Sequence, residues 1–433
     1  MAGGLFNVAV WEIDVVKKIL NTFVEPTAFI VLFFVVVNRI IIGGGWINIA
    51  DSTIEKVSLE CILWILDAAL FIWIASKKEN SSEYFHSWKN NWILFVFVLF
   101  GAASIFWSEF FVVSFYKIYV LISCTSIAAY VAITYPLDVF FRKLTWFFGI
   151  ALILSFALVF LFPSVGIHLT DENAGAWRGI FFQKNTLGIM MALSSIVFLY
   201  NLFSKTKNKL ALLGSIFLYV ISAVFVFLSR SASGIAIFLV LNFCSILAIA
   251  WVKWKERLSL KYYLAIGFVF TSAGILVLSK LDYLLGLLHR NSSLTGRVPL
   301  WSILIKIGQS NHPIIGGGFS YPWMNGKLRL AIQAMSGWGF APVTAHDGFV
   351  DIYLHLGLVG IILLSALLLT GFYRSIRFLL AEQTLQSTFP LILMIFIIFA
   401  NISESLFLEL DSFVWLLLVF VLFASHRKIL DPV

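Results

Sequence analysis

Apolar runs long enough to cross a bilayer recur along almost the whole chain, from residue 27 to residue 425. Its residues are 61% hydrophobic and 12% charged, whereas soluble domains carry roughly 25% charged residues. A run of about 20 apolar residues crosses a bilayer as a helix. The fold expected is therefore all-α: one polytopic membrane domain over residues 1–433 with about twelve transmembrane helices. Spans are predicted at 27–42, 57–75, 91–107, 111–133, 144–162, 186–203, 210–228, 232–252, 262–279, 348–370, 389–402 and 411–425. The first 26 residues lack the basic start, apolar centre and cleavage site of a signal peptide.

Charge sets the expected orientation. The N-terminus, the even-numbered connections and the C-terminus hold eighteen Lys and Arg, against four (Lys56, Arg178, Lys184, Arg230) in the short odd-numbered ones. Cytoplasmic loops carry the excess, so both termini are placed inside and the long ninth connection, 280–345, outside. The net charge of +8 then reflects membrane orientation, and no nucleic-acid partner is implied. Cys61, Cys124 and Cys244 lie in apolar spans without paired spacing, which points to neither disulfide nor zinc.

An arginine in a short external loop opposes the insertion bias. Arg178 and Arg230 therefore call for a partner: either an ion pair, for instance with Asp171 or Glu172, or an anionic ligand. In the same loop as Arg178, Asn185 or Thr186 can cap the sixth span. The tight connection 228–234 makes spans seven and eight antiparallel neighbours, with Arg230 at their interface. In the long loop, Thr295 is a candidate N-cap and Pro299 suits a first helical turn. Leu300, Trp301, Ile303, Leu304 and Ile307 mark an amphipathic helix lying on the membrane surface and ending by Gly316-Gly317-Gly318. Arg297 falls in its first turn, where helix dipole and guanidinium together suit a phosphate; the alternative is an interfacial Arg reaching to headgroups.

His346 precedes the tenth span. The positive end of that helix favours a neutral ring, as a base requires, and Asp347 can cap the helix or orient the imidazole. His312 reads as loop punctuation and His355 as a contact between helices. No Asp-X-Asp pair, His-Glu-X-X-His, Walker loop or nucleotide fingerprint is present, so no metal and no cofactor is expected. Cations and a base at one membrane face suit displacement of a lipid-linked pyrophosphate: Arg stabilises the leaving group, His takes the proton of the incoming hydroxyl.

The order Trp-Arg-Gly-Ile-Phe-x-x-Lys-Asn (177–185), Leu-Ser-Arg-Ser-x-Ser-Gly (228–234), Leu-Thr-Gly-Arg-x-x-x-Trp (294–301), His-Pro-x-x-Gly-x-Gly (312–318) and Ala-His-Asp-Gly-Phe-x-Asp (345–351) resembles the O-antigen ligase and polymerase superfamily, in particular its exopolysaccharide-polymerase branch. The resemblance implies a GT-C-like, metal-independent, inverting glycosyltransferase of the bacterial inner membrane. It would use an undecaprenyl-pyrophosphate-linked oligosaccharide as donor and a lipid-linked unit as acceptor, amid membrane lipid, with a flippase and a chain-length regulator as partner proteins. By the same matching, Arg230 and Arg297 bind pyrophosphate and His346 activates the acceptor. Arg178, Lys184, Asn185 and Thr295 belong to the donor side. Many members read His-Asn-Gly where this chain has His346-Asp347-Gly348, and a carboxylate there opposes the helix-end effect on the ring.

Polymerase and ligase share donor and chemistry, and differ in whether a lipid-linked unit or a lipid A core sugar accepts. From another class, a secondary transporter or glycolipid flippase would use intramembrane charges such as Glu60, Asp67, Lys117 and Asp351. Asp67 and Lys117 can equally form a structural pair, and no half-to-half echo typical of transporters is visible. A non-catalytic scaffold is a third reading; it predicts that His346→Ala leaves polymer output unchanged.

Overall fold

The structure, a computed structural model, describes residues 86–169, 173–181, 183–203, 208–254, 297–319, 321–337, 341–407 and 413–430. The predicted spans 27–42, 57–75 and 262–279 lie outside these residues, as do Thr295, Asp67, Asp171 and Glu172. Each of the other predicted spans coincides with a helix: α1 Trp92–Ala103, α2 Phe111–Thr134, α3 Leu137–Leu161, α4 Lys184–Leu202, α5 Lys209–Leu228, α6 Ala232–Trp254, α9 Gly348–Glu382, α10 Leu385–Ser403 and α11 Phe413–Leu430. Seven of them are long and apolar enough to cross a membrane, and two shorter apolar helices, Trp92–Trp107 and Phe413–Ser425, join them. The protein is a polytopic helical membrane protein. Among the described residues of the long loop stand two further helices, α7 Arg297–Asn311 and α8 Gly326–Ser336.

Helix α4 is the most enclosed of the long helices and packs against both α5 and α6. Small residues make this possible. A Cβ at Gly234 of α6 would lie 2.7 Å from Gly188 Cα of α4, so the two backbones touch, the arrangement small residues allow between membrane helices. Spans seven and eight do run antiparallel, yet each leans on α4 far more than on the other. A second group, α9, α10 and α11, carries α1 on α9 and α2 on α11.

Helix α9 breaks at Gly357, which adopts φ 63° and ψ −159°. The backbone groups freed by the break are met by the segment 313–318. Leu358 N–H donates to Pro313 O and Val359 N–H to Ile314 O, while Gly317 and Gly318 N–H donate to Leu354 O and His355 O. Irregular backbone at membrane depth persists when it is satisfied in this way. Any Cβ on Gly316 or Gly357 would strike backbone at 2.3–2.4 Å, which accounts for glycine at both.

The long loop departs from expectation in carrying α8 and in how α7 is covered. Helix α7 forms, but Leu300, Leu304 and Ile307 do not face lipid. They pack with Trp323, Leu328 and Ile332 of the α8 region and with Ala345, Val350 and Leu354 at the start of α9. An apolar stripe is covered equally well by protein or by lipid, and here the α8 region supplies the cover.

Candidate active site

Four chain segments meet at the bundle end that the charge distribution assigns to the outside: the starts of α4, α7 and α9, and the end of α10. The last contributes Glu404, which sequence reasoning passed over. Its carboxylate accepts from His346 Nδ1 at 2.8 Å on Oε2, and from Arg297 Nη2 and Asn185 Nδ2, each at 2.8 Å, on Oε1. Arg297 Nη1 also donates to the Ser403 carbonyl. The Arg297 and His346 side chains are each 16% exposed and that of Glu404 12%, so the cluster is nearly dry but reachable.

Local structure holds each member in place. Asp347 is the N-cap of α9: its Oδ1 accepts from the N–H groups of Phe349 and Val350, while its own N–H donates to Ser405 Oγ. Of the two roles open to Asp347, capping is the one observed, and Glu404 takes the place beside the imidazole. Asp351 accepts from Trp323 Nε1 and from the Ala345 N–H, and Trp301 Nε1 donates to the Ala345 carbonyl. The residue before His346 is thus gripped from two sides. Gly348 is needed for closure, since a Cβ there would lie 2.3 Å from Asn401 Oδ1.

His346 itself has φ 51°, as does Arg230. Non-glycine residues in this left-handed region cost of order 1–3 kcal/mol and gather at functional sites.

Electrostatically, burial alone would raise the Glu404 carboxyl. The hydrogen bond and charge of His346, and those of Arg297, outweigh it and hold the group below its ordinary value. For Asp347 burial wins: the carboxyl is raised, although its two capping N–H groups and the Arg297 charge pull the other way.

The remaining predicted residues fall as follows. Asn185 is not a cap, because α4 begins at Lys184 after Gln183 without a side-chain capping bond; its amide goes to Glu404 instead. Lys184 is the first residue of that helix. Arg178 donates through Nε and Nη2 to the carbonyls of Val165 and Ser164. Arg230 donates to the Ala174 carbonyl and lies across Gly175. These two arginines belong to adjoining loops, joined by the Trp177 N–H bond to Leu228 O. One turn into α4, Gly188 lies against Ser229 and Ser231. The structure therefore ties Asn185, Arg297 and His346 together through Glu404, with Arg178 and Arg230 in the neighbouring loop cluster. His355 is buried at the α9 break, stacked on Phe319, and Asp351 serves as the anchor described above. Among the described residues no three His, Cys, Asp or Glu side chains converge as a metal-ligand set.

A signal for Glu404 existed: Asn401-Ile402-Ser403-Glu404-Ser405 is a polar break between two apolar runs, carrying an acid. Orientation is read from Lys and Arg because acids contribute little to it, so a charge count passes over it.

With nitrogen Nδ1 donating to a carboxylate, a neutral imidazole keeps its lone pair on Nε2. The arrangement can take a proton from a hydroxyl beside a guanidinium suited to an anion.

The O-antigen ligase family profile matches residues 217–365, which include Arg230, Arg297 and His346. The chain is also 24% identical over 246 residues to the exopolysaccharide production protein ExoQ of Rhizobium meliloti (strain 1021), covering 54% of each chain. It therefore matches about half the length of that curated relative.

Proposed function

We propose that the chain acts as a member of the O-antigen ligase and polymerase family, whose profile it matches over residues 217–365, and that it polymerises lipid-linked oligosaccharide repeat units at the outer face of the bacterial inner membrane. Both termini would then be cytoplasmic. The donor is a glycan on undecaprenyl pyrophosphate and the acceptor a hydroxyl of the next lipid-linked unit. His346 Nε2 takes the hydroxyl proton as the acceptor oxygen bonds to the anomeric carbon from the face opposite the leaving group. The bond from that carbon to the pyrophosphate oxygen breaks, and the diphosphate leaves with the electron pair, inverting the centre.

Arg297 and Arg230 receive the developing charge. A guanidinium has five N–H donors, and among the described residues Ser403 and Glu404 take two from Arg297, so capacity remains for a diphosphate. Arg178, Lys184 and Asn185 line the donor side, and Thr295 precedes Arg297 in the same motif. No metal is required, since fixed guanidinium groups supply the charge stabilisation. A flippase would deliver the substrate and a chain-length regulator would limit the product.

The observation that carries this reading is the 2.8 Å contact between His346 Nδ1 and Glu404, with Arg297 on the same carboxylate. Purified protein incubated with a lipid-linked repeat unit should give a ladder on the carrier. Product only when lipid A core is added would identify a ligase instead. His346→Ala and Arg297→Ala should each abolish the ladder while inserting normally, and Arg297→Lys should be strongly impaired because a point charge cannot make the forked contact. Full activity of Arg297→Ala would remove it from the site.

A further inference from the structure

A cleft of about 630 Å³ opens where the end of α7 faces the start of α8 and the turn before α2. Its lining includes Glu109, Asn311, His312, Tyr321 and Asn325, together with Ser310, Lys327 and the apolar Leu328. None of these belongs to the site around Glu404. Helix α7 has 15 residues, so at 1.5 Å per residue its two ends, Arg297 and Asn311, stand about 21 Å apart. The cleft is thus a second locus, held by one rigid helix at a fixed distance from the reacting groups.

Its chemistry narrows the ligand. The walls carry one carboxylate, Glu109, and one ammonium, Lys327, so the charge is balanced, and a diphosphate would meet Glu109. The other polar side chains donate and accept in both directions: two amides, two hydroxyls and an imidazole. They are already set in position. Asn311 Nδ2 donates to the Tyr321 hydroxyl at 3.0 Å, Asn325 Nδ2 donates to Glu109 Oε2 at 3.3 Å, and His312 stands edge-on to the Tyr321 ring at 5.5 Å. The volume lies within the range of small-molecule sites, about 300–1,000 Å³, well beyond a single ion. A neutral ligand rich in hydroxyls meets all these terms.

We propose that this cleft between α7 and α8 is a saccharide subsite, gripping a sugar of the glycan at a distance from the hydroxyl or anomeric carbon that reacts at His346. The proposal rests on the glycosyltransferase reading above. The sugar could belong to the incoming acceptor or to the growing donor strand, since their chemistry is the same.

Ser310 is exposed at the end of α7 and Glu109 is exposed in a turn, so Ser310→Trp can fill the cleft and Glu109→Ala can empty it without disturbing the core. The probe is the lipid-free repeat-unit oligosaccharide, titrated calorimetrically into full-length protein whose thermal transition matches the wild type. Wild type and His346→Ala should bind it equally, and both cleft variants about tenfold more weakly, the scale of a lost carboxylate hydrogen bond. In turnover, the KM of the substrate that occupies the cleft should rise with kcat unchanged; titrating acceptor and donor separately shows which one it is. Undiminished binding by both cleft variants, or none by the wild type, overturns the subsite. If instead His346→Ala still makes polymer, the catalytic reading fails while the binding result stands by itself.

Discussion

Glu404→Gln isolates the contribution of one charge. The side chain keeps its shape, but one carboxylate oxygen becomes an NH2 group. Arg297 and Asn185 both donate to Oε1, so the amide oxygen is held on that side, because the reverse places NH2 against two donors, one of them cationic. The NH2 then faces His346 Nδ1, where the wild type has an acceptor at 2.8 Å. The imidazole can keep that bond only by moving its proton to Nε2, and Nε2 is the atom assigned to take the acceptor proton.

A general base contributes about 10²–10⁴ in rate, and this substitution removes it, so kcat should fall by a factor in that range. Donor KM should change less, since Arg297 retains an acceptor. Loss of one charge-assisted bond should also destabilise the fold by about 1.5–3 kcal/mol. The assay is ladder formation from a lipid-linked repeat unit by purified protein, with melting in detergent measured in parallel. The double variant with His346→Ala should be no slower than His346→Ala alone, because both substitutions remove one function. Wild-type kcat in folded Glu404→Gln would refute the orientation argument, and full additivity in the double variant would separate the two residues.

Two other outcomes follow from the same cluster. Asp347→Asn should retain most of the turnover and the stability, as an asparagine oxygen caps as well as a carboxylate. Asp347→Ala should lower stability by about 1 kcal/mol, a difference that denaturation in detergent can detect. The Glu404 carboxyl lies below its ordinary value in the fold. Its stabilisation is therefore complete above the unfolded value, about 4.3, and is lost as pH falls through the folded one. The stability gap between wild type and Glu404→Gln should shrink as pH falls below about 4.3; a gap that widens there would contradict this sign.

The nine predicted spans within the described residues all appear as helices, because a membrane helix is encoded locally by a sufficient length of apolar residues. The alignment of Arg297, His346 and Asn185 at helix starts was legible for a similar reason: each stands just before an apolar run. What these side chains touch was not. His346 and Glu404 are 58 residues apart, Arg297 and Glu404 107, Asn185 and Glu404 219, and no periodicity relates positions so distant. The amphipathic stripe of α7 was likewise correct as a pattern and silent about its cover, since Leu300 and Leu304 are satisfied by Ile332 and Leu354 as fully as by acyl chains.

The sequence by itself determined that this is a membrane bundle and which residues reach one end of it, because hydropathy and capping act over a few neighbouring residues. Only the tertiary structure decided that Asp347 caps, that Glu404 rather than Asp347 holds the imidazole, and that α9 breaks against the segment 313–318. Those outcomes depend on which ends meet when α4, α7, α9 and α10 pack, with chain brought close at Gly188 against Gly234 and at Gly348 against Asn401.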